Sequence, residues 1–409
     1  MATTQRAIAT VALLGSAQTL AWASSYYLPA MLATPMARDL GVTAPTVFAA
    51  FSLALLVSAA LGPFAGRAID RWGGRPVLVA SNGMFALGLA GLGLAQGPAA
   101  MFAAWVLLGI GMACGLYEAA FAALVRLHGH ESRNLITGIT LIAGFASTVG
   151  WPLSTLLETQ VGWRGACFAW AGLHLLLGMP LNLALPRAGP PSPLAVATGA
   201  ASSEPESERA GRRRAALILA FVFAVTWFVS TAMAAHLPRL LQAGGATLAA
   251  AVAIGALVGP AQVGGRLLEF GLLRHVHPLL SARLAALMHP VGAALLALLG
   301  APLAAVFAIL HGAGNGILTI AKGTLPLVLF GPHGYGLRQG VLMVPARVAQ
   351  ASAPWLFGIL LDRFGAAALW FSCALGLAAF ASLLLLPKPV APLVVAPAAT
   401  AAAPQGTGP

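Results

Sequence analysis

Three charged side chains stand out inside long apolar stretches of this sequence: Glu118, Lys322 and Arg347. A charge at membrane depth costs roughly 2.5–3.5 kcal/mol on insertion scales, so such residues face a partner, a wet pathway or a ligand. Arg347 falls about seven residues into its predicted span, roughly 10 Å deep at 1.5 Å per residue, which is too deep to reach the surface from that end. An arginine there stays charged and can hold a carboxylate through two parallel N–H bonds. It could equally brace the fold through a carbonyl or through Glu118. Lys322 ends a row, His311, Asn315, Thr319 and Lys322, whose spacing of four, four and three puts it on one helical face. A polar stripe of that kind belongs against a bundle interior or a water-filled cavity. His311 in that row is a group that could titrate near neutral pH. Gln18, Trp22, Ser25 and Tyr26 share a face of the first apolar run, and Trp227 with Ser230 lie in the seventh. Aromatic rings beside small polar groups suit an organic ligand; they serve equally as packing or interface residues. The chemistry on offer is recognition of a small organic solute, with Glu118 available to carry a proton.

The elements that must position these groups follow from composition. Of 409 residues, 59% are hydrophobic and only 8% charged, against about a quarter charged in a soluble protein. A spanning helix needs roughly 20 apolar residues, and twelve such runs are predicted near 8–32, 46–66, 77–96, 100–124, 135–157, 165–185, 215–236, 247–268, 282–300, 303–325, 340–361 and 366–386. The first run continues to Met31 and reads as a span rather than a cleaved leader. The expected fold is an all-α integral membrane protein with twelve transmembrane helices in two six-helix bundles. Residues 1–185 form the first bundle, 186–214 a polar cytoplasmic linker, 215–387 the second bundle and 388–409 a disordered Ala/Pro tail. The net charge of +12 is distributed by side: with the N-terminus inside, roughly 16 of the Lys and Arg face the cytoplasm, and Arg38, Arg164, Arg239 and Arg363 lie outside. That orientation places both termini in the cytoplasm and argues against nucleic acid as a partner. Cys114, Cys167 and Cys373 show no metal-ligand spacing. No nucleotide-binding loop, cofactor motif or paired catalytic carboxylates occur, so an enzyme is not expected.

The strongest pattern is an internal repeat. Gly62-Pro63 closes an apolar run and leads to Gly66, Arg67, Asp70, Arg71, Gly73 and Arg75. About 200 residues later Gly259-Pro260 leads to Gly265, Arg266 and Glu269, with Phe270 where the first copy has Arg71. Leu108-Gly109-Ile110-Gly111 matches His311-Gly312-Ala313-Gly314 at a similar offset, and Gly150-Trp151-Pro152 with Glu158 and Gly162 matches Ala353-Pro354 with Asp362 and Gly365. Glu118 falls within one position of the repeat partner of Lys322. Duplicated helical halves are a common build for secondary transporters.

The hairpin formed by Gly66, Asp70, Arg71, Gly73 and Arg75 resembles the signature loop of the major facilitator superfamily, and the resemblance covers essentially the whole chain. Gly74 stands where a basic residue is common. The resemblance implies that the loop, with Arg266 and Glu269 in its second copy, acts as a cytoplasmic gating latch, and that spans one, four, seven and ten line a central cavity. The Phe51–Ser58 stretch and the arginine-rich hairpin look more like the monocarboxylate and oxalate/formate branch, although a buried Asp/Arg pair in span eight is lacking. Gly138, Gly144 and Gly150-Trp151-Pro152 partly resemble the span-five motif of the family's antiporters. The expectation is a monomeric secondary transporter of a bacterial-type inner membrane, moving a small organic anion with protons by alternating access. The rival expectation is proton-driven efflux of drug-like compounds.

Overall fold

Backbone polar groups in hydrocarbon must be satisfied within the chain, which leaves only helices or a closed barrel. A computed structural model of the chain describes residues 2–189 and 206–386, and every regular element among them is helical. Spans one to three are Ala2–Ser24 with Leu28–Asp39, Ala44–Trp72, and Gly74–Leu94. Span four is Pro98–Gly115 with Tyr117–His128, and span five is Ser132–Ala143 continued from Ala146. The chain turns into span six at Gly162, whose φ of 70° is open to glycine at little cost, and span six ends at Leu183. The second half comprises Glu206–Ala243, Leu248–Gly255 with Val258–Gly271, Pro278–Leu299, Ala304–Phe330, Tyr335–Phe364 and Ala368–Leu384. The pseudo-symmetry reaches the caps: Thr43 before span two accepts from the Thr46 amide, and Thr247 before span eight accepts from the Ala250 amide.

Two boundaries differ from expectation. Span seven begins at Glu206 rather than 215, because Glu206 and Glu208 favour the positive end of a helix and extend it through the basic run. The remainder of the expected linker, 190–205, and the tail 388–409 lie outside the described residues. Span eleven begins at Tyr335, so Arg347 stands about twelve residues, roughly 18 Å, inside its helix.

Spans one, four, five and eight are broken, and local chemistry accounts for the breaks in spans one and four. In span one the hydroxyls of Ser24 and Ser25 turn back to the Leu20 and Ala21 carbonyls at 2.8 and 2.5 Å, competing with the helical ladder. Pro29 then starts the next segment. His174 of span six locks that break: its two ring nitrogens lie 2.7 Å from Ser24 Oγ and 2.9 Å from Asn82 Oδ1. In span four Leu116 is extended (φ −88°, ψ −171°), and the helix restarts at Tyr117.

Apolar attraction between helices is weak in lipid, so close association needs small residues that let backbones approach. Spans two and eleven meet this way across the two bundles. Gly62 and Gly66 face Gly340 and Gly336, and a methyl on Gly66 would strike the Gly336 carbonyl. The two helices run antiparallel, with Ser52 Oγ donating to the Ala351 carbonyl at 3.2 Å near the other end. Spans five and eight pack through Ser132–Ala143 and Val258–Gly271. Their other halves make no extended contact, and within Leu248–Gly255 only Ala251 is buried. The bundles are therefore shut at the end carrying Asp70 and part between spans five and eight at the far end. Replacing Gly66 by Val is expected to lower stability by about 1–3 kcal/mol through overpacking, seen as a lower melting temperature in detergent. Gly83→Ala, with open space at that position, serves as the unchanged control.

Candidate functional site

The break in span four determines where the central carboxylate sits. Restarting the helix at Tyr117 puts Glu118 in its first turn, where the amide dipoles favour negative charge. Gln18 of span one donates to the freed Gly115 carbonyl at 2.6 Å and holds the break open. Across the bundle interface Arg347 Nη2 donates to Glu118 Oε2 at 2.8 Å, and its Nη1 donates to Gln350 Oε1 at 2.9 Å. Arg347 is 3% exposed. Glu118 is half-buried, so removing it would leave the buried Arg347 charge bare, which is strongly destabilising.

Lys322 reaches the same centre without joining the pair. Its Nζ is buried, has no hydrogen-bond partner among the described residues, and lies 3.8 Å from the centroid of the Trp227 ring. Cation–π attraction compensates in part for lost water. The Arg347 guanidinium carbon is 5.3 Å from the same ring and 6.0 Å from Trp22. Trp22 of span one and Trp227 of span seven stack across the interface with centroids 6.2 Å apart and planes 7° from parallel. Tyr117 packs on Trp22 at 4.9 Å, and half-buried Tyr26 meets it edge-on at 5.2 Å. The space beside Glu118 and Arg347, bounded by Ser58, Gly62, Gly340 and Met343, is about 10 Å³, no more than one water could occupy.

The polar row of span ten divides. Lys322 faces the centre, whereas His311 turns to span nine, with its Nδ1 3.0 Å from His289 Nδ1 and its ring stacked on Phe307. The repeat explains the direction: Leu108, the partner of His311, likewise fills the space left by Gly88 of span three. Thr319 is buried and donates back to the Asn315 carbonyl, and Asn315 is half-buried. Gly312 and Gly316 press against span eight.

At the shut end the Asp70 carboxylate accepts the amides of Gly336 and Leu337 at 2.9 and 2.8 Å. It caps the positive end of span eleven in the opposite bundle. Gly73 (φ 83°) ends span two, Arg71 is exposed over Trp72, and Arg75 is half-buried. The second copy solves the same problem with side chains. Arg266 is buried and donates to the Thr140 carbonyl at 3.1 Å, and Glu269 lies 3.8 Å from Arg133 near the start of span five.

Sequence reasoning missed Gln350, Tyr117 and the glycine pair of span eleven. Gln350 is a polar residue one turn beyond Arg347, and Gly336-x-x-x-Gly340 repeats the small-residue spacing of Gly62-x-x-x-Gly66; both signals were present.

Among the described residues, twelve spans in two related halves, with ionised groups buried where the halves meet, define a multi-pass membrane transporter. The sequence profile of the Major Facilitator Superfamily matches residues 14–354, and the chain belongs to that family. It is 28% identical over 353 residues to an uncharacterized 38 kDa protein of Thermoproteus tenax, covering 85% of this chain and 87% of that one. It is 28% identical over 200 residues to the Escherichia coli multidrug resistance protein MdtL, about half of each chain (48% and 50%). The fold matches the human organic anion transporter TETRAN (TM-score 0.68, 17% identity, 93% and 99% covered). It also matches the transporter FucP in its outward conformation (TM-score 0.73, 14% identity, 94% and 100% covered). Members of the family are transporters and not enzymes.

Asp70→Asn removes the charge from the span-eleven cap, worth about 1 kcal/mol at a helix end. Transport is expected to fall several-fold while membrane insertion, measured by surface labelling, stays normal.

Proposed function

We propose that this transporter moves a small organic anion together with a proton, by alternating access around the Glu118–Arg347–Lys322 centre. The observation that carries the reading is the charge balance of that centre. Two buried cations face one carboxylate, and Lys322 has no hydrogen-bond acceptor among the described residues. An incoming carboxylate supplies the missing negative charge and competes with Glu118 for Arg347. Glu118, displaced into a low-dielectric interior, takes a proton, since an unpaired buried carboxylate is costly. The centre then carries the same net charge loaded and empty, so loading adds no charge-burial cost to the movement of the halves.

Arginine distribution supports assigning the Asp70 end to the cytoplasm. Arg67, Arg71, Arg75, Arg126 and Arg338 gather there, while Arg164 and Arg239 at the other end are paired with Asp39 and Asp362. In that orientation the described state is closed inside and begins to part outside, both termini are cytoplasmic, and a bacterial-type inner membrane is the natural setting. Asp70 against the span-eleven amides, supported by Arg266 and Glu269 of span eight against span five, is the latch of this closed side.

Efflux of drug-like compounds is the second reading, favoured by the similarity to MdtL over half the chain and by the aromatic centre. Liposomes loaded with a pH dye separate the two. Internal acidification on adding a monocarboxylate supports symport, and alkalinisation driven by a cationic dye supports efflux. In the symport case Arg347→Ala is expected to cut anion flux by roughly 30-fold or more; retained flux removes Arg347 as the ligand. Glu118→Gln is expected to keep anion exchange while abolishing anion-driven acidification, measured in the same vesicles.

A further inference from the structure

The cations of the centre are held on aromatic faces, and its polar groups are donors in excess. We propose that the preferred substrate is an aromatic carboxylate, a flat ring bearing the acid and one further polar group. This inference rests on the anion reading above. Lys322 Nζ at 3.8 Å from the Trp227 centroid and Arg347 at 5.3 and 6.0 Å from the two indoles put both cations beside the ring faces. A carboxylate bound to them brings the rest of its molecule against those same faces.

The stacked indoles add a steric argument. Trp22 and Trp227 stack with centroids 6.2 Å apart, so a ligand that contacts both indole faces enters by parting them. Those rings lie 7° from parallel across the pseudo-twofold interface. A planar ring between them restores a stacking face to each indole, whereas a puckered aliphatic body restores neither. Aromatic pairing adds to simple area burial.

Hydrogen-bond inventory points the same way. The Nε1–H groups of Trp22 and Trp227, the Gln350 amide nitrogen and Lys322 Nζ are all buried without an acceptor among the described residues. Indole N–H is a donor only and lysine has three donors and no acceptor. One carboxylate cannot serve them all, so a second acceptor on the ring is called for. The Gln18 side-chain oxygen, likewise buried and unpartnered, can receive the proton of a ring hydroxyl.

Isothermal titration of the purified full chain in nanodiscs tests this with four probes: benzoate, 4-hydroxybenzoate, cyclohexanecarboxylate and acetate. Benzoate is expected to bind about three- to tenfold tighter than cyclohexanecarboxylate, a body of similar size that cannot stack, and 4-hydroxybenzoate tighter still. In Trp22→Leu the ratio of benzoate to cyclohexanecarboxylate affinity should collapse towards one. Equal affinities for the two rings, acetate binding as tightly as benzoate, or an unchanged ratio in Trp22→Leu would overturn the aromatic assignment while leaving the anion site standing. Failure of all four anions to bind removes the anion reading itself. If Trp22→Leu does not fold, the wild-type comparison alone decides.

Discussion

The structure turns on how charge is held where water is scarce. Glu118, Lys322 and Arg347 come from three different helices and from both halves, yet converge on one small volume. Each alone would be expensive at that depth. Together they form an ion pair and one cation resting on an indole, a grouping that stays intact only while the two bundles are in register. The contact that makes burial tolerable is therefore also the contact that ties the halves together. Any movement of one bundle against the other must either preserve this balance of charge or replace a member of it.

Helix breaks make the convergence possible. A continuous span four would point Glu118 elsewhere and leave it no amide dipole; the extended Leu116 turns a helix interior into a helix start. Gln18 takes the carbonyl set free, and His174 with Asn82 takes the serine at the corresponding break in span one. The second half keeps spans seven and ten continuous and contributes side chains rather than broken backbone. At the centre, pseudo-symmetry has thus been divided by task, with the broken spans one and four in the first bundle and the cations Lys322 and Arg347 in the second.

The shut end shows the same divergence. Both hairpins set an acid at the end of their second helix, but Asp70 is bound by backbone amides and Glu269 sits near a guanidinium. Backbone capping demands close helices, which the facing glycines of spans two and eleven permit. An arginine reaches further, so spans five and eight can meet over only half their length. That asymmetry leaves one seam sealed from end to end and the other free to part.

Much of this was legible in the primary structure. Apolar run lengths determine that the chain spans a membrane, because hydrocarbon thickness fixes the helix length required. The repeat, read from Gly66, Asp70, Gly265 and Glu269, determines two related halves and the family. Depth within an apolar run marks Glu118, Lys322 and Arg347, since hydrocarbon penalises any charge placed there without reason. Periodicity alone put His311 and Lys322 on one face, but a face is wide enough to touch two neighbours. Only packing decided that His311 meets His289 while Lys322 meets Trp227. Likewise, which acid pairs with which base, and that two tryptophans close the centre, depend on residues some 200 positions apart. Such distances are set by how whole helices dock, and no local pattern of residue types encodes them.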